Sequence, residues 1–350
     1  MIRIRWAAWI AALLLLQTGT ALAALEYKIV TASERGTYIQ IGRNLAQFVA
    51  PAADIELEAL PSAGSAENVK RLRFEAGVKF ALVQSDVYQA FLDQAAGGNA
   101  DATAMIRPLR VILPLYNEEI YFITRADSDL NYIHDIRNAK INVGELGSGT
   151  ALTTTTLYRL MFNAPVPQAN ATFLPNEEAL VKLITDKSVD VVAVIAGQPA
   201  KLLVDMKPEA RNLIKLLKFD PSRPESQAAL KTYVAATVRA ASYPNLLADD
   251  LPALAVKAFL VTYDFSLKLT EDSLRRFARS LCQNFPVLQE KGHPKWREVE
   301  LALPDLGRGW IYYPATTNEL RACIASRAKP KVAPSKACSQ QEQVLGLCAK

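Results

Sequence analysis

Histidine is scarce in this 350-residue sequence, which contains only His134 and His293. Two histidines give little material for a His-based metal site or for a Ser-His-Asp triad. The sequence therefore predicts no metal site, no catalytic residues and no cofactor. The basic residues form no stripe and do not alternate with aromatic residues, so nucleic-acid binding is not expected. Internal repeats and low-complexity segments are also missing.

Cysteine is sparse as well, with four residues in the whole chain: Cys282, Cys323, Cys338 and Cys348. Their spacings lack the paired short intervals that are typical of a zinc site. Disulfides can form in an exported protein. One arrangement closes a small tail loop between Cys338 and Cys348 and pairs Cys282 with Cys323. The sequence does not choose among the three possible pairings.

Long apolar runs are missing after the first residues of the chain, and no later run reaches the roughly 18 to 20 residues of a membrane span. Residues 1–23 combine Arg3 and Arg5, an apolar run at 6–16 and a small-x-small pattern at 21–23. This pattern predicts a secretory signal peptide that is cleaved after residue 23, and an uncleaved anchor is the alternative. We expect an exported, periplasmic protein. Loss of the two arginines lowers its formal charge from +5 to +3.

The clearest candidate for a binding site follows an apolar segment at 141–143. Gly147, Ser148, Gly149 and Thr150 form a turn before a predicted helix. The glycines permit positive φ and a close approach of a ligand. Ser148 or Thr150 can cap the helix, whose first amides have no intrahelical acceptor. Such a turn favours a carboxylate, and a plain capped turn is the alternative interpretation.

Three earlier predicted strands also end in polar or glycine-containing turns that lead into helices. The strand at 27–33 is followed by 34–38, the strand at 55–60 by 61–65, and the strand at 80–83 by 84–86. Right-handed crossovers place the carboxyl ends of parallel strands at one edge of a sheet, where α/β proteins bind ligands. The mature chain of about 325 residues is long enough for about two domains.

Six segments occur in one order along the chain: TASERGTYIQIGRNLAQ, SAGSAENVKRL, FALVQSDVYQA, INVGELGSGT, VVAVIAGQPA and TYVAATVRAASYP. Together they resemble the TAXI-type extracytoplasmic solute-binding subunits of tripartite ATP-independent periplasmic (TRAP) transporters, over most of residues 26–320. The resemblance implies an α/β fold of the two-lobed periplasmic binding protein type (type II-like), with two α/β lobes joined by a two-strand hinge. It implies a monomer that is not an enzyme, binds a small organic anion (an amino acid or a dicarboxylate-like solute) and delivers it to the membrane permease.

On this interpretation lobe one comprises residues 24–112 and 219–325, and lobe two comprises 113–218. A polar tail at 326–350 follows. The chain crosses between the lobes near Leu113–Tyr116 and again near Leu217–Phe219. A ligand bridging turns from both lobes favours the closed state.

The expected ligand-binding residues come from both lobes. Lobe one contributes Arg35, Gly36, Thr37, Tyr38, Ser65, Asn68, Gln84 and Ser85. Lobe two contributes Ser148, Gly149, Thr150 and Gly197, and the tyrosines near the crossings, Tyr116 and Tyr233, are expected to cover the ligand.

Some of these assignments have alternatives. Family members usually have glycines where this chain has Ala32 to Arg35. Arg35 can grip a carboxylate with both guanidinium arms or point to solvent. Tyr233 can also be a core aromatic, and Asp86 is expected to cap its helix.

Two other functions use the same scaffold. A sensor subunit would bind a solute in the same pocket and dock to a membrane kinase. An exported enzyme is the other alternative, because a fold does not determine a function. The turns offer Ser and Thr but no nearby His, Cys or Lys as a catalytic base.

Overall fold

The computed structural model describes residues 24–306 and 309–328. The predicted signal peptide and the tail from residue 329 onwards, with Cys338 and Cys348, lie outside the described residues. Ten strands form one mixed sheet. In chain order they are β1 (Leu25–Val30), β2 (Ile55–Leu60), β3 (Val78–Gln84), β4 (Leu109–Arg125), β5 (Ile141–Asn142), β6 (Ala171–Thr172), β7 (Val191–Ala196), β8 (Ile214–Leu216), β9 (Val234–Val238) and β10 (Leu251–Tyr263).

Helices connect most of these strands. The described α-helices are α1 (Thr37–Phe48), α2 (Ser65–Phe74), α3 (Asp86–Ala96), α4 (Ala100–Ile106), α5 (Gly149–Phe162), α6 (Asn176–Ile184), α7 (Lys201–Val204), α8 (Pro224–Ala229), α9 (Lys268–Gln283), α10 (Phe285–Lys291) and α11 (Pro314–Ala328). None of the described helices is long and apolar enough to cross a membrane.

The first lobe is built on β2, β1 and β3, which are parallel, followed by parts of β10 and β4. Neighbouring residues in a strand point to opposite faces of the sheet. Ile29 therefore packs against α1 and α9, whereas Val30 packs in the cluster that contains α2, α3 and α4. Helices cover both faces, which explains the nearly continuous apolar character of these strands.

The second lobe repeats this plan. Strands β7, β5 and β6 are parallel, and β7 pairs antiparallel with β4. Strand β9 pairs with β10, and β8 pairs with the end of β4. The apolar side chains form one cluster with α5 and α8 and another with α6 and α7.

Two long strands join the lobes. Strands β4 and β10 pair antiparallel from Leu254 opposite Ile120 to Tyr263 opposite Leu109. Both strands run through the two lobes and are buried along almost their whole length. The structure therefore has two α/β lobes joined by two strands, and the predicted fold class is confirmed.

The second crossing is β10 rather than the expected segment near Leu217–Phe219. Leu217 and Phe219 pack in the cluster of lobe two together with Tyr233 and Leu254. We therefore propose that lobe two continues to about residue 256. The sequence pattern over 250–290 predicts two helices, and this prediction is wrong for β10, because a strand that is buried on both faces lacks the alternation that distinguishes it from a helix.

A disulfide joins Cys282 on α9 to Cys323 on α11, with 6.4 Å between their Cα atoms. This is one of the pairings that the sequence left open, and the described part of the chain contains no free cysteine. The link fastens α11 to the face of lobe one that α9 covers.

Replacing both Cys282 and Cys323 with Ala is expected to lower the free energy of unfolding by about 2 to 4 kcal/mol, because the bond restricts the unfolded chain. Urea unfolding of the mature protein measures this loss. Ser326→Ala, an exposed change on the same helix, is the matched control and is expected to remain within about 0.5 kcal/mol of the parent. Equal stability of the double variant and the parent would contradict the prediction.

Candidate ligand-binding site

The turn before α5 has the local structure that its sequence predicts. Gly147 has a φ of +83°, a left-handed conformation that glycine adopts without strain. The Ser148 hydroxyl accepts a hydrogen bond from the Ala151 amide at 3.0 Å and caps α5. The capping prediction is confirmed for Ser148.

This turn lies directly against the turns of lobe one. The Glu67 amide donates a hydrogen bond to the Gly147 carbonyl at 3.2 Å. Gly149 lies so close to Gln84 that an added Cβ would stand 1.9 Å from Gln84 Oε1. A side chain at position 149 would therefore require the side chains of Gln84 and Ser65 to move in this arrangement, in which the two lobes are closed on each other.

A cavity of about 100 Å³ lies between the turns. Residues from both lobes line it, including most of the predicted set. The predicted residues that line the cavity are Gly36, Thr37, Tyr38, Ser65, Gln84, Ser148, Gly149 and Thr150. Their role in ligand binding stays a prediction, but the structure does bring these distant segments together.

Four helices begin at this cavity. Gly36 precedes α1, Gly64 precedes α2, Ser148 precedes α5, and α6 begins with Asn176. Helix N-termini carry partial positive charge and amides without intrahelical acceptors. Among the described residues that line the cavity, none is Lys or Arg. Positive charge at this cavity can therefore come only from the backbone among the described lining residues.

Arg35 does not contact the cavity. Its side chain is 65% exposed and lies 3.7 Å from the carboxylate of Glu177 on α6. We expected Arg35 to bind a carboxylate in the pocket, but it forms a solvent-exposed ion pair with Glu177 at the rim of the cleft. Exposed ion pairs of this type contribute little to stability.

Asn68 and Ser85 are also absent from the cavity lining. The buried Asn68 amide donates hydrogen bonds to the carbonyls of Thr31, at 2.5 Å, and Leu82, at 2.7 Å. It therefore fastens the ends of β1 and β3. The Ser85 carbonyl accepts a hydrogen bond from Trp310 Nε1 at 2.9 Å. Both residues support the turns and do not face the cavity.

Gly197 and Tyr116 lie just behind the cavity. The Gly197 carbonyl accepts a hydrogen bond from the Thr37 hydroxyl at 3.3 Å, across the two lobes. An added Cβ at Gly197 would stand 3.1 Å from the Tyr116 ring and 3.0 Å from Lys295. These two residues therefore pack the wall of the cleft rather than line it.

Asp86 joins the lobes instead of capping α3. Its Oδ2 accepts hydrogen bonds from the Thr153 hydroxyl at 2.7 Å and from the Tyr233 hydroxyl at 2.9 Å. Burial raises the pKa of Asp86 to about 6, and these two hydrogen bonds oppose the rise. The expectation that Tyr233 covers a ligand is corrected, since its hydroxyl is committed to Asp86.

Glu118 is the cavity residue that the sequence predictions missed. It lies on β4, is 4% exposed and lines the cavity. Burial raises its pKa to about 8, with a further contribution from Glu119, while Tyr38 and Lys295 oppose the rise. The carboxyl is therefore mostly protonated at neutral pH. The sequence pattern predicts two strands, one before and one after 116–119, but β4 is continuous there.

The neighbouring Glu119 belongs to a buried ion pair. Lys295 is fully buried, and its ammonium donates to Glu119 Oε1 at 2.9 Å and to Glu298 at 2.6 Å. Glu119 also accepts hydrogen bonds from the amide and side chain of Gln198. Because all partners are hydrogen-bonded, this pair fixes the hinge strand to the loop after β7.

Outside the cleft, a larger cavity of about 660 Å³ lies on lobe two beside Arg211 and Lys215. It is remote from the four helix N-termini, so the cleft is the better candidate site. The described residues contain no cluster of three or more His, Cys, Asp or Glu side chains that could hold a metal ion.

The described residues form two α/β lobes that are joined by two strands, with a cleft between them. The sequence pattern of the NMT1-like family matches residues 29–308. The match spans more than half of the chain, so this chain belongs to the NMT1-like family.

Several solved structures overlap the chain. The periplasmic binding protein BugD is 14% identical, with 86% of this chain and 94% of that chain covered and a TM-score of 0.49. PhnD1 from Prochlorococcus marinus (MIT 9301), in complex with methylphosphonate, is 12% identical, with 78% of this chain and 88% of that chain covered and a TM-score of 0.48. The periplasmic sulfonate-binding protein SsuA from Methylobacillus flagellatus KT is 11% identical, with 87% of this chain and 86% of that chain covered and a TM-score of 0.44.

The raised pKa of Glu118 predicts how stability depends on pH. The folded chain holds a proton that the unfolded chain releases above pH 4.5, so the free energy of unfolding falls as the pH rises from about 4.5 to about 8. Glu118→Gln removes this loss. At pH 8 the free energy of unfolding of the variant is expected to exceed that of the parent by a few kcal/mol, on the order given by the pKa shift of Glu118. Near pH 4 the two proteins should be equally stable.

Urea unfolding at pH 4, 6 and 8 measures the difference. Glu58→Gln on the exposed side of β2 is the matched control and should follow the parent at each pH. Parallel pH profiles for the parent and Glu118→Gln would contradict the assignment of a protonated Glu118.

Proposed function

We propose that this protein is a periplasmic solute-binding protein that captures a small organic anion between its lobes and delivers it to a membrane permease of the TRAP type. The observation that carries the proposal is the meeting of four helix N-termini at one cavity that both lobes line. Backbone amides and helix dipoles bind carboxylates without a cationic side chain.

The size of the cavity limits the ligand. A volume of about 100 Å³ corresponds to several water molecules, and so to a ligand of roughly ten non-hydrogen atoms or fewer. A short dicarboxylate or a small amino acid meets this limit. Closure around such a ligand excludes water and strengthens each hydrogen bond to it.

The two lobes also provide a mechanism for capture. Contacts across the cleft, such as Thr37 to Gly197 and Asp86 to Thr153, join the two lobes, so an opening of the cleft would break them. A ligand that touches turns of both lobes stabilises this state by its differential affinity. The permease would then recognise the closed form. Among the described residues that line the cavity none is His, Cys or Lys, so the serine and threonine hydroxyl groups there have no such side chain in the lining to activate them, and we propose binding rather than turnover.

Small carboxylates are expected to raise the melting temperature of the mature protein. Binding to the folded state alone contributes about 2.7 kcal/mol at a hundredfold excess over Kd. A thermal-shift screen with succinate, malate, 2-oxoglutarate, L-aspartate and L-glutamate checks this expectation. A shift with at least one of them, and recovery of that compound unchanged, supports the proposal. No shift, or turnover of the compound, contradicts it.

Ser148→Ala is expected to weaken the ligand-induced shift, because the variant loses a hydroxyl at the cavity and the cap of α5. Asn99→Ala is the matched control: Asn99 caps α4 through the Ala102 amide, outside the cavity lining. Both variants should lose about 1 kcal/mol of stability, and only Ser148→Ala should lose ligand affinity. Equal ligand shifts in the two variants would place the site elsewhere.

Thr153→Val tests closure without touching the cavity. The change removes a hydrogen bond to the buried Asp86 and should weaken the closed state by about 1 to 2 kcal/mol. The ligand affinity, measured by calorimetry, should therefore fall about tenfold. Thr155→Val is the control, because its hydroxyl bonds only to carbonyls of its own helix. A loss of affinity that is equal in both variants would contradict a role for this contact in closure.

A further inference from the structure

Two buried polar atoms at the cleft lack a partner. Glu118 Oε2 and the Tyr38 hydroxyl both belong to cavity-lining residues that are only 4% exposed, and neither atom makes a hydrogen bond of normal geometry within the described part of the chain. An unsatisfied buried polar atom costs free energy. Glu118 and Tyr38 are also each other's neighbours, since a side-chain interaction with Tyr38 lowers the pKa of Glu118, and a molecule bound in the cavity would complete the hydrogen bonding of this pair.

The surroundings decide which partner fits. Four helix N-termini make the cavity positive, and an anion would be drawn there. An ionised Glu118 would repel that anion at short range, whereas a neutral carboxylic acid can donate a hydrogen bond to it. A carboxyl group kept neutral by an apolar site is an established way of placing such a donor in a protein.

We propose that Glu118 is a specificity-determining residue that binds the anionic ligand as a neutral carboxylic acid, donating a hydrogen bond to a ligand oxygen beside the Tyr38 hydroxyl. This inference rests on the proposed function and adds a ligand class to it. The cleft selects a carboxylate that presents an anionic oxygen to Glu118 and disfavours one that presents an ammonium group there.

The charges around Glu118 agree with this role. Burial is the largest cause of its raised pKa, about 8, and the acidic neighbours add to it. Lys295 opposes the rise, but its ammonium is already held by Glu119 and Glu298. The titratable groups that face Glu118 are Tyr38 from α1, Asp86 from α3, Tyr116 and Glu119 from β4, and Lys295 from the segment before Glu298.

Proton linkage follows from the proposal. If only the protonated form binds the anion, the affinity is nearly constant below the pKa of the free protein and falls above it. With a pKa of about 8, affinity at pH 9 should be about tenfold weaker than at pH 7. Binding at pH 9 should take up about one proton per ligand, and binding at pH 6 almost none.

Isothermal titration calorimetry with succinate and L-aspartate tests the inference, because the two probes share a four-carbon dicarboxylate skeleton and differ by one amine. Titrations of the mature protein at pH 6, 7 and 9, in buffers of different ionisation enthalpy, report affinity and proton uptake. We expect succinate to bind more tightly than L-aspartate, with the pH profile given above. Glu118→Gln, whose amide still donates, should bind succinate within about tenfold of the parent, with no proton uptake at pH 9.

The controls separate the two proposals. Glu58→Gln should keep the profile of the parent. Tighter binding of L-aspartate with proton release, lost in Glu118→Gln, would show an ionised Glu118 that holds an ammonium group and would overturn the inference alone. A pH-independent affinity for succinate would also overturn it alone. No binding of either probe at any pH would overturn the inference, and no binding of any of the five compounds of the thermal-shift screen would overturn the proposed function as well.

Discussion

The antiparallel pairing of β4 with β10 is the constraint on which the rest of the structure depends. These two strands are the links between the lobes, and both are buried along nearly their whole length. At the crossing, β4 carries two acidic residues in succession. Successive side chains of a strand point to opposite faces, so Glu118 enters the cavity while Glu119 holds Lys295 and the loop after β7. The strand about which the lobes would pivot therefore also forms the floor of the candidate site.

The cleft obtains its positive potential from backbone rather than from charged side chains. Four helices start there, and among its described lining residues the charged ones are acidic, Glu118 and Glu145. The cleft would repel an anionic ligand least when the buried acid is neutral, and burial favours that form. Asp86 is a second buried acid, at the contact between α3 and α5, where two hydroxyl groups from lobe two donate hydrogen bonds to its Oδ2. Through Glu118 and Asp86, closure of the lobes is linked to the protonation of buried acids.

Local pattern predicted the turns well but not the direction of individual side chains. Gly147 and Ser148 behave as their neighbours in sequence imply, because positive φ and helix capping are decided within a few residues. Arg35 and Asn68 were misjudged, since adjacency to a turn does not say whether a side chain points into the cavity, into the core or to solvent. Glu118 was missed because a charged residue between two apolar runs is more often exposed than buried.

The sequence by itself determined the α/β class, the strand-turn-helix order and the glycine and serine positions of the turns, because these follow from periodicity and from the conformations that single residues allow. Only the tertiary structure decided that β10 is the second link between the lobes, that Cys282 pairs with Cys323, and that Glu118 is buried at the cavity. Each of these depends on segments far apart in the chain. The burial of a side chain and the neutralisation of its charge depend on residues that only the folded chain brings together, so no local sequence pattern records them.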